Sequence, residues 1–121
     1  MSKSLIERLR RARQSTTGSG GRTFTIRRPT DLEMQEMAGK IDQRLLLVRF
    51  VVDWGVMSEI DLGIPGGGPD PVPFDADLWA EWIADHPEHW DEITTAVIQG
   101  YRSHKAAMEE AAKNSGPGSA S

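Results

Sequence analysis

The longest regular pattern in the chain is a run of apolar residues at helical spacing. It consists of Met34, Met37, Ile41, Leu45, Val48 and Val52, with Leu46 and Val51 widening the stripe. An apolar residue at every third or fourth position predicts a helix with one face in the core. Thr30 and Glu33 match a capping box before it, and Gly55 can take the left-handed backbone that ends a helix. The pattern therefore predicts one helix over about 31 to 53, in which Gly39 costs about 1 kcal/mol against alanine and indicates a kink or a close approach.

A shorter amphipathic helix is predicted at the amino terminus, over Ser4 to Gln14. Ser4 and Glu7 form a capping-box pattern. The apolar stripe consists of Leu5, Ile6, Leu9 and Ala12. A helix of this length is marginal on its own, so we expect it to become ordered by docking on its own chain or on a partner.

Two more helices are predicted in the second half of the chain. Asp75 is the expected cap of the first. Its buried face consists of Leu78, Trp79, Trp82 and Ile83. Asp85 and Glu88 form a third capping-box pattern with Pro87 between them, which predicts a last helix over about 87 to 113. The stripe of that helix consists of Trp90, Ile93, Val97, Tyr101 and Met108.

The segment Arg22 to Arg27 alternates between polar and apolar residues, with Phe24 and Ile26 on one face. A period of two predicts a short strand or an extended segment. The preceding residues, Ser15 to Gly21, are polar and glycine-rich, which indicates a linker or a turn. One short strand cannot form a sheet, so the segment lies along the helices, pairs with a neighbouring turn or adds to another chain.

Together these patterns predict a mainly α fold. We expect a small helical domain of three to four helices with one short N-terminal extended segment or hairpin and a long Gly/Pro-rich loop. The chain divides into a basic N-terminal arm and linker (1–22), a helical domain (23–113) and a disordered tail (114–121). A length of 121 residues suits one domain with tails.

Charge separates the arm from the rest of the chain. Residues 1–28 contain eight Lys or Arg and one acidic residue, whereas residues 29–121 contain six Lys or Arg and seventeen acidic residues. The two balances, +7 and −11, sum to the net charge of −4. Such a body is a poor nucleic-acid binder, because phosphate contacts need clustered Lys and Arg. The absence of cysteine excludes disulfides and thiolate sites and suits a reducing cytoplasm.

The segment from Met57 to Asp77 is rich in glycine, proline and acidic residues. A long stretch without a regular pattern is unusual in a compact domain and indicates a binding loop or disorder. The glycines between Pro65 and Pro69 lack the Lys-Ser/Thr of a phosphate loop, and the acidic surroundings would repel phosphate. The spacing of the aspartates does not match a calcium loop.

Residues that carry chemistry are few. His86 and His89 are three positions apart, but no third nitrogen or sulfur ligand lies nearby in sequence, so we interpret them as surface histidines. Motif context suggests no Ser/His/Asp set and no carboxylate arrangement for acid-base work. We therefore expect no catalysis, no metal and no cofactor. Three of the four tryptophans lie on predicted apolar stripes and are expected in the core.

The order of the motifs resembles that of a known family. The residues that carry the resemblance are Phe24-x-Ile26-Arg27-Arg28-Pro29-Thr30-Asp31-x-Glu33, Val51-Val52-Asp53-Trp54-Gly55-Val56 and Val72-Pro73-Phe74-Asp75. A helix, an Asp-x-Pro break and a terminal helix follow them. Over about residues 5 to 112 the chain is similar to the tail assembly chaperones of long-tailed bacteriophages and related prophages.

The resemblance implies a small, mostly helical, non-enzymatic protein in the cytoplasm of the infected host. Proteins of this family coat the tape measure protein, help to recruit tail tube subunits and are not normally part of the finished virion. Some are also made in a frameshifted, extended form. The implied partners are therefore the tape measure protein and the tail tube protein, with a homo-oligomer left open and no membrane association.

A long helical partner with apolar stripes needs an apolar groove between helices, and the helices near 31–53 and 87–113 are the pair that we expect to form it. We expect the partner contacts on the long loop and on the basic arm. The candidate residues are Trp54, Val56, Ile60, Leu62, Ile64 and Phe74 at the loop and Arg8 and Arg11 on the arm. Trp54 is either a core residue or an exposed anchor. Two other functions stay open. One is a structural virion component, such as a head-tail connector or a tail completion protein, and the other is a nucleic-acid-binding regulator that uses the arm.

Overall fold

A computed structural model describes residues 2–115, and most of the predicted disordered tail, from residue 116 onward, lies outside the described residues. In the described part a three-stranded antiparallel sheet, in the order β1-β2-β3, accompanies five α-helices. The elements are α1 (Ser2–Ala12), β1 (Gln14–Ser19), β2 (Arg22–Arg27), α2 (Asp31–Glu36), α3 (Gln43–Arg49), β3 (Val51–Trp54), α4 (Ala76–Ala84), a 3-10 turn (Pro87–His89) and α5 (Trp90–Ser115). The prediction of a mainly α fold with three to four helices is therefore wrong, because the chain is mixed α/β.

The helix predicted over 31–53 is three separate elements. Gly39 has a φ of 77°, a left-handed conformation that interrupts the helical path after α2. Asp42 then caps α3, since its side chain accepts a hydrogen bond from the N–H of Arg44. Beyond α3 the chain becomes extended and pairs with β2 as β3. The two β-branched valines at the start of β3 favour this conformation.

The caps of the other helices agree only in part with the predictions. Thr30 and Glu33 form the predicted capping box of α2. Asp75 caps α4 as predicted, because its carboxylate accepts hydrogen bonds from two backbone N–H groups of the first turn. The capping boxes predicted for the first and last helices are wrong. The first helix already begins at Ser2, and His86, which precedes the 3-10 turn, makes no side-chain cap.

Two glycines join β1 and β2 into a hairpin. Gly20 and Gly21 have φ values of 57° and 80°, and a type I′ turn requires positive φ at both positions. The register pairs Ser19 with Arg22 next to this turn. The residues interpreted as a linker or turn therefore contain a strand as well as the turn, and the hairpin crosses the predicted boundary between arm and domain.

The core lies between the sheet and the helices α3, α4 and α5. Its buried apolar residues are Phe24, Ile26, Met37, Leu46, Leu47, Phe50, Val51, Trp54, Met57, Trp79, Trp82, Ile83, Ile93 and Val97. Phe24 of β2 packs against both Trp79 and Trp82 of α4, with ring centroids 5.4 and 6.2 Å away. Ile41 and Val48, which the predicted stripe placed in the core, are exposed because the long helix is divided.

Each of the four tryptophans donates its indole N–H to a backbone carbonyl. Trp54 donates to Val72, Trp79 to Leu47, Trp82 to Asp61 and Trp90 to Ile83, at 2.9, 2.8, 3.2 and 2.7 Å. These bonds satisfy donors that burial removes from water. They also join β3 to the following loop, α4 to both α3 and that loop, and α5 to α4.

Glu33 is a buried carboxylate between two arginines. The guanidinium of Arg27 donates to both of its oxygens, at 2.8 and 2.9 Å, and Arg49 Nε lies 3.1 Å from Oε2. Because Arg27 belongs to β2 and Arg49 to α3, this cluster joins α2 to the sheet and to α3. The hydrogen bonds from Arg27, aided by the N–H of Thr30, lower the pKa of Glu33 from 4.5 to about 2 although burial opposes the change.

His89 lies beneath the hairpin turn. Its Nδ1 is 2.7 Å from the hydroxyl of Ser19, and this hydroxyl donates to Glu92 at 3.1 Å. The single proton of the hydroxyl is used in the bond to Glu92. The hydroxyl oxygen must therefore accept from His89, so Nδ1 of the neutral ring is protonated. A Cβ on Gly20 would stand 2.7 Å from Cε1 of His89, so the turn also needs glycine for this close approach.

The position of His89 changes its acid-base behaviour. Burial is the main cause that lowers the pKa of His89 below 6.5. Glu88 and Glu92 oppose this shift, whereas His86 and Arg22 add to it. The interpretation of both histidines as surface residues is wrong for His89, which is 4% exposed.

The variant Glu33→Gln should destabilise the fold in a pH-dependent way. A pKa lowered from 4.5 to about 2 corresponds to a stabilisation on the order of 2 to 3 kcal/mol at neutral pH. Because the folded pKa is the lower one, this contribution is present above pH 4.5 and is lost as the pH falls toward 2. Urea unfolding at about pH 7 and about pH 3 should show a large difference between wild type and variant that shrinks at the lower pH.

Glu36→Gln is the matched control, because Glu36 also faces Arg49, at 3.6 Å, but its side chain is 52% exposed. It should change the free energy of unfolding by less than about 0.5 kcal/mol. A loss in Glu33→Gln that is equal at both pH values would contradict the assignment of the stabilisation to the charge of Glu33.

The variant His89→Gln should flatten the pH dependence of stability near neutrality. In the wild type the folded pKa lies below 6.5, so stability is full above that pH and declines as the pH falls from 6.5 toward the folded pKa. The free energy of unfolding, measured by urea between about pH 7.5 and about pH 5, should therefore fall more steeply in the wild type than in the variant. His104→Gln controls for the loss of one histidine elsewhere. Equal slopes in wild type and His89→Gln would show that burial of this ring is not linked to folding.

Candidate functional site

The loop between β3 and α4, residues 55–75, is closed at its base by backbone pairing. The N–H of Val72 donates to the carbonyl of Met57 at 2.6 Å. Next to it, Ser58 and Pro71 form an isolated antiparallel bridge. Met57 is 1% exposed, so the base of the loop is anchored in the core. The two ends of the loop are consequently held together.

Asp61 fixes the first turn of this loop. Its carboxylate accepts hydrogen bonds from the N–H and the hydroxyl of Ser58, at 2.9 and 3.0 Å, and these bonds lower the pKa of Asp61. Arg22 of β2 donates to its other carboxylate oxygen at 3.4 Å and to the sulfur of Met57 at 3.2 Å. The loop is thereby tied to the hairpin.

The tip of the loop has hydrogen bonds of its own. The N–H of Ile64 donates to the carbonyl of Glu59, the N–H of Gly67 to the carbonyl of Ile64, and the N–H of Gly68 to the carboxylate of Glu59, at 3.0, 3.0 and 2.9 Å. A Cβ on Gly67 would stand 2.7 Å from Cβ of Glu59, so this contact needs glycine. These hydrogen bonds give the tip of the loop a compact shape of its own.

Three of the six candidate loop residues pack into the molecule. Trp54 is 4% exposed, and its ring meets that of Phe74 edge-on with 5.1 Å between centroids. Leu62 and Phe74 are partly buried and pack against the same core. Trp54 therefore takes the core position rather than that of an exposed anchor. These three side chains position the loop.

The other three candidate loop residues face solvent. Val56, Ile60 and Ile64 are 76%, 58% and 43% exposed. A single exposed aliphatic side chain is ordinary on a protein surface. Here, however, all three belong to one hydrogen-bonded loop. The loop therefore holds aliphatic side chains in water on a backbone of defined shape.

The two candidate arm residues, Arg8 and Arg11, are exposed on α1. The apolar stripe of this helix is exposed as well, since Leu5, Ile6 and Leu9 are 60%, 47% and 57% accessible. Within residues 2–115, no hydrogen bond or ion pair joins these arginines to the loop. The structure thus presents the arm and the loop as separate surfaces.

A further surface is an apolar groove between α3 and α4 with a volume of about 810 Å³. The sequence led us to expect a groove between the helices near 31–53 and 87–113, and its position beside α4 was not predicted. Its apolar lining comes mainly from Leu45, Leu47, Val48, Ala80, Ile83 and Trp90. The prediction of one long helix assigned Val48 to the core, whereas Val48 is exposed and lines this groove.

Acidic residues border the groove. Asp42 and Glu81 line it, together with one basic residue, Arg44. The stretch 75–92, which forms α4 and the start of α5, contains seven acidic residues and no Lys or Arg. One wall of the groove therefore belongs to a strongly negative part of the chain, which favours cationic partners.

Residues 2–115 contain neither a candidate metal site nor a candidate membrane span. No group of three His, Cys, Asp or Glu side chains in that range is placed to hold a metal ion. No helix in the same range combines the length and the apolar character needed to cross a membrane. Ser19 is hydrogen-bonded to both His89 and Glu92. Because Ser19 is only 3% exposed, we interpret these bonds as part of the packing of the hairpin on α5.

The loop and the groove both expose apolar side chains on ordered backbone. A scan against protein-family models, a search of curated proteins and a search of solved structures find no match to the chain. The apolar side chains exposed at these two surfaces are therefore the features that point to binding.

Proposed function

We propose that this protein is a non-catalytic tail assembly chaperone of a long-tailed bacteriophage or prophage, and that it binds and solubilises the tape measure protein through the loop between β3 and α4. The observation that carries the proposal is the ordered loop that keeps Val56, Ile60 and Ile64 in water. The order of motifs along the chain supports the choice of family.

The construction of the loop favours binding. Hydrogen bonds at Met57, Asp61 and Gly67 hold the backbone in the free protein, so little conformational entropy is lost when a partner arrives. Complete burial of one aliphatic side chain contributes about 1.5 to 3 kcal/mol. Three such side chains on a fixed backbone can therefore hold an apolar stripe of a partner in a reversible contact.

The implied partner suits this surface. A tape measure protein is long and helical. Its exposed apolar stripes must be shielded from water by another protein until the tail is assembled. Residues 29–121 carry a balance of −11, which keeps a complex soluble through charge repulsion between separate complexes. Recruitment of tail tube subunits and a location in the host cytoplasm are further parts of the proposal.

The test is co-expression of the full chain with the tape measure protein encoded at the same locus, followed by affinity pull-down and a solubility assay. The double variant Ile60→Asp, Ile64→Asp should reduce the co-purified tape measure protein at least about tenfold, because each contact would then bury a carboxylate. Both positions are exposed in the free chain. The variant should therefore keep its thermal midpoint within a few degrees of the wild type.

The double variant Leu32→Asp, Met108→Asp is the matched control, because these side chains are 66% and 55% exposed and lie outside the loop. It should co-purify with the tape measure protein as the wild type does. Wild-type binding in the loop variant, or no binding by the wild type, contradicts the proposal. Stoichiometric amounts of the chain in purified particles, measured by mass spectrometry, would instead indicate a structural virion component.

A further inference from the structure

Two apolar surfaces of this chain are uncovered, one on a helix face and one in a groove. The stripe of α1 exposes Leu5, Ile6 and Leu9, which lie on one face of a helix of 11 residues. The α3–α4 groove is an open apolar depression of about 810 Å³ with Trp90 in its lining. An amphipathic helix that lays its apolar face into such a groove is a common mode of peptide recognition.

The two surfaces also complement each other in charge. Arg8, Arg10 and Arg11 are exposed on α1, where Glu7 is the one acidic residue. Asp42 and Glu81 line the groove, and the lone Arg44 does not balance the acidic residues of α4 and the start of α5. Opposite charges at the edge of an apolar contact speed association and select the correct orientation.

We propose that α1 of one copy docks in the α3–α4 groove of a second copy, so that the protein self-associates through contacts between arm and groove. The proposal goes beyond the function proposed above and does not rest on it, because it concerns a surface that shares no residue with the loop. A reciprocal exchange of arms gives a closed dimer, and a one-way contact gives an open chain of copies.

The junction between α1 and β1 favours a second copy over the helix's own chain. Arg13 alone separates the two elements. Its N–H donates to the carbonyl of Arg10 at 3.2 Å, and its carbonyl accepts from the N–H of Arg28 at 2.9 Å. Because this junction is one residue long and both of its backbone polar groups are hydrogen-bonded, α1 has no flexible linker that would let it fold onto the groove of its own chain. The stripe accordingly remains exposed within one copy.

The experiment measures molar mass by light scattering and sedimentation for the full chain over a range of concentrations. The arm variant is Leu5→Asp with Leu9→Asp, and the groove variant is Val48→Asp with Ala84→Asp. All four positions are exposed in the single copy, so circular dichroism should show the wild-type fold. Each variant alone should self-associate at least about tenfold more weakly than the wild type, because a carboxylate would enter an apolar contact.

The mixture of the two variants is the decisive sample. The arm variant retains an intact groove, and the groove variant retains an intact arm. An equimolar mixture should therefore form a mixed complex, which a tag on one of the variants detects. A contact between two arms, or between two grooves, would not be restored by mixing.

Charge reversal provides a second measurement that leaves the apolar residues unchanged. Arg8→Glu with Arg11→Glu should weaken self-association about tenfold or more, and so should Glu81→Lys. Their combination in one chain should recover part of the loss. These side chains are exposed, so the charge-reversal variants should fold. They therefore test the proposal even if the arm variant or the groove variant with aspartates does not fold.

Three results would overturn the proposal. They are a monomeric wild type at all concentrations, arm and groove variants that associate as the wild type does, and a mixture of folded variants that stays unassociated. Because only this chain is needed, none of these results bears on tape measure binding. Conversely, loss of tape measure binding in the loop variant with intact self-association leaves this inference standing.

Discussion

The hydrogen bond from the indole N–H of Trp79 to the carbonyl of Leu47 is the constraint on which the arrangement of the helices depends. Trp79 is completely buried, and its ring also contacts Phe24 of β2 and Phe74 of the loop. A buried N–H without a partner costs about 1 to 3 kcal/mol. Sliding α4 along α3 would break this bond and these ring contacts together. The groove therefore lies between two helices whose relative position this side chain helps to fix.

The second constraint acts on the same, C-terminal end of α3. Arg49 follows Leu47 by two residues and contacts Glu33, which Arg27 of β2 holds with two hydrogen bonds. A short helix of seven residues is thus fixed to α4 by an aromatic residue and to the sheet by an ion-pair cluster. This explains how a helix too short to be stable alone can form one wall of a binding surface.

The sequence allowed the cap of α4, the capping box of α2 and the core positions of Trp79 and Trp82 to be predicted, because these features depend on neighbours within a few residues. The division of 31–53 was not predicted. Its spacing fits one helix, and the signals against it were local and weak: Gly39, Asp42 and two adjacent valines. A strand of four residues forms only because β2 supplies its hydrogen bonds, and pairing between distant segments leaves no periodic trace.

The candidate surfaces illustrate the same limit. Composition identified the loop, but which of its apolar side chains face water depends on contacts with residues distant in sequence. Phe74 packs on Trp54, and Arg22 and Trp82 both bind Asp61. An apolar groove was expected between the helices near 31–53 and 87–113, but its position beside α4 depends on the divided helix, because the undivided pattern placed Val48 inside. Loop and groove share no lining residue. Occupation of the groove by an arm therefore removes none of the exposed loop side chains, so a chain of self-associated copies would present one such loop per copy to a long repetitive partner.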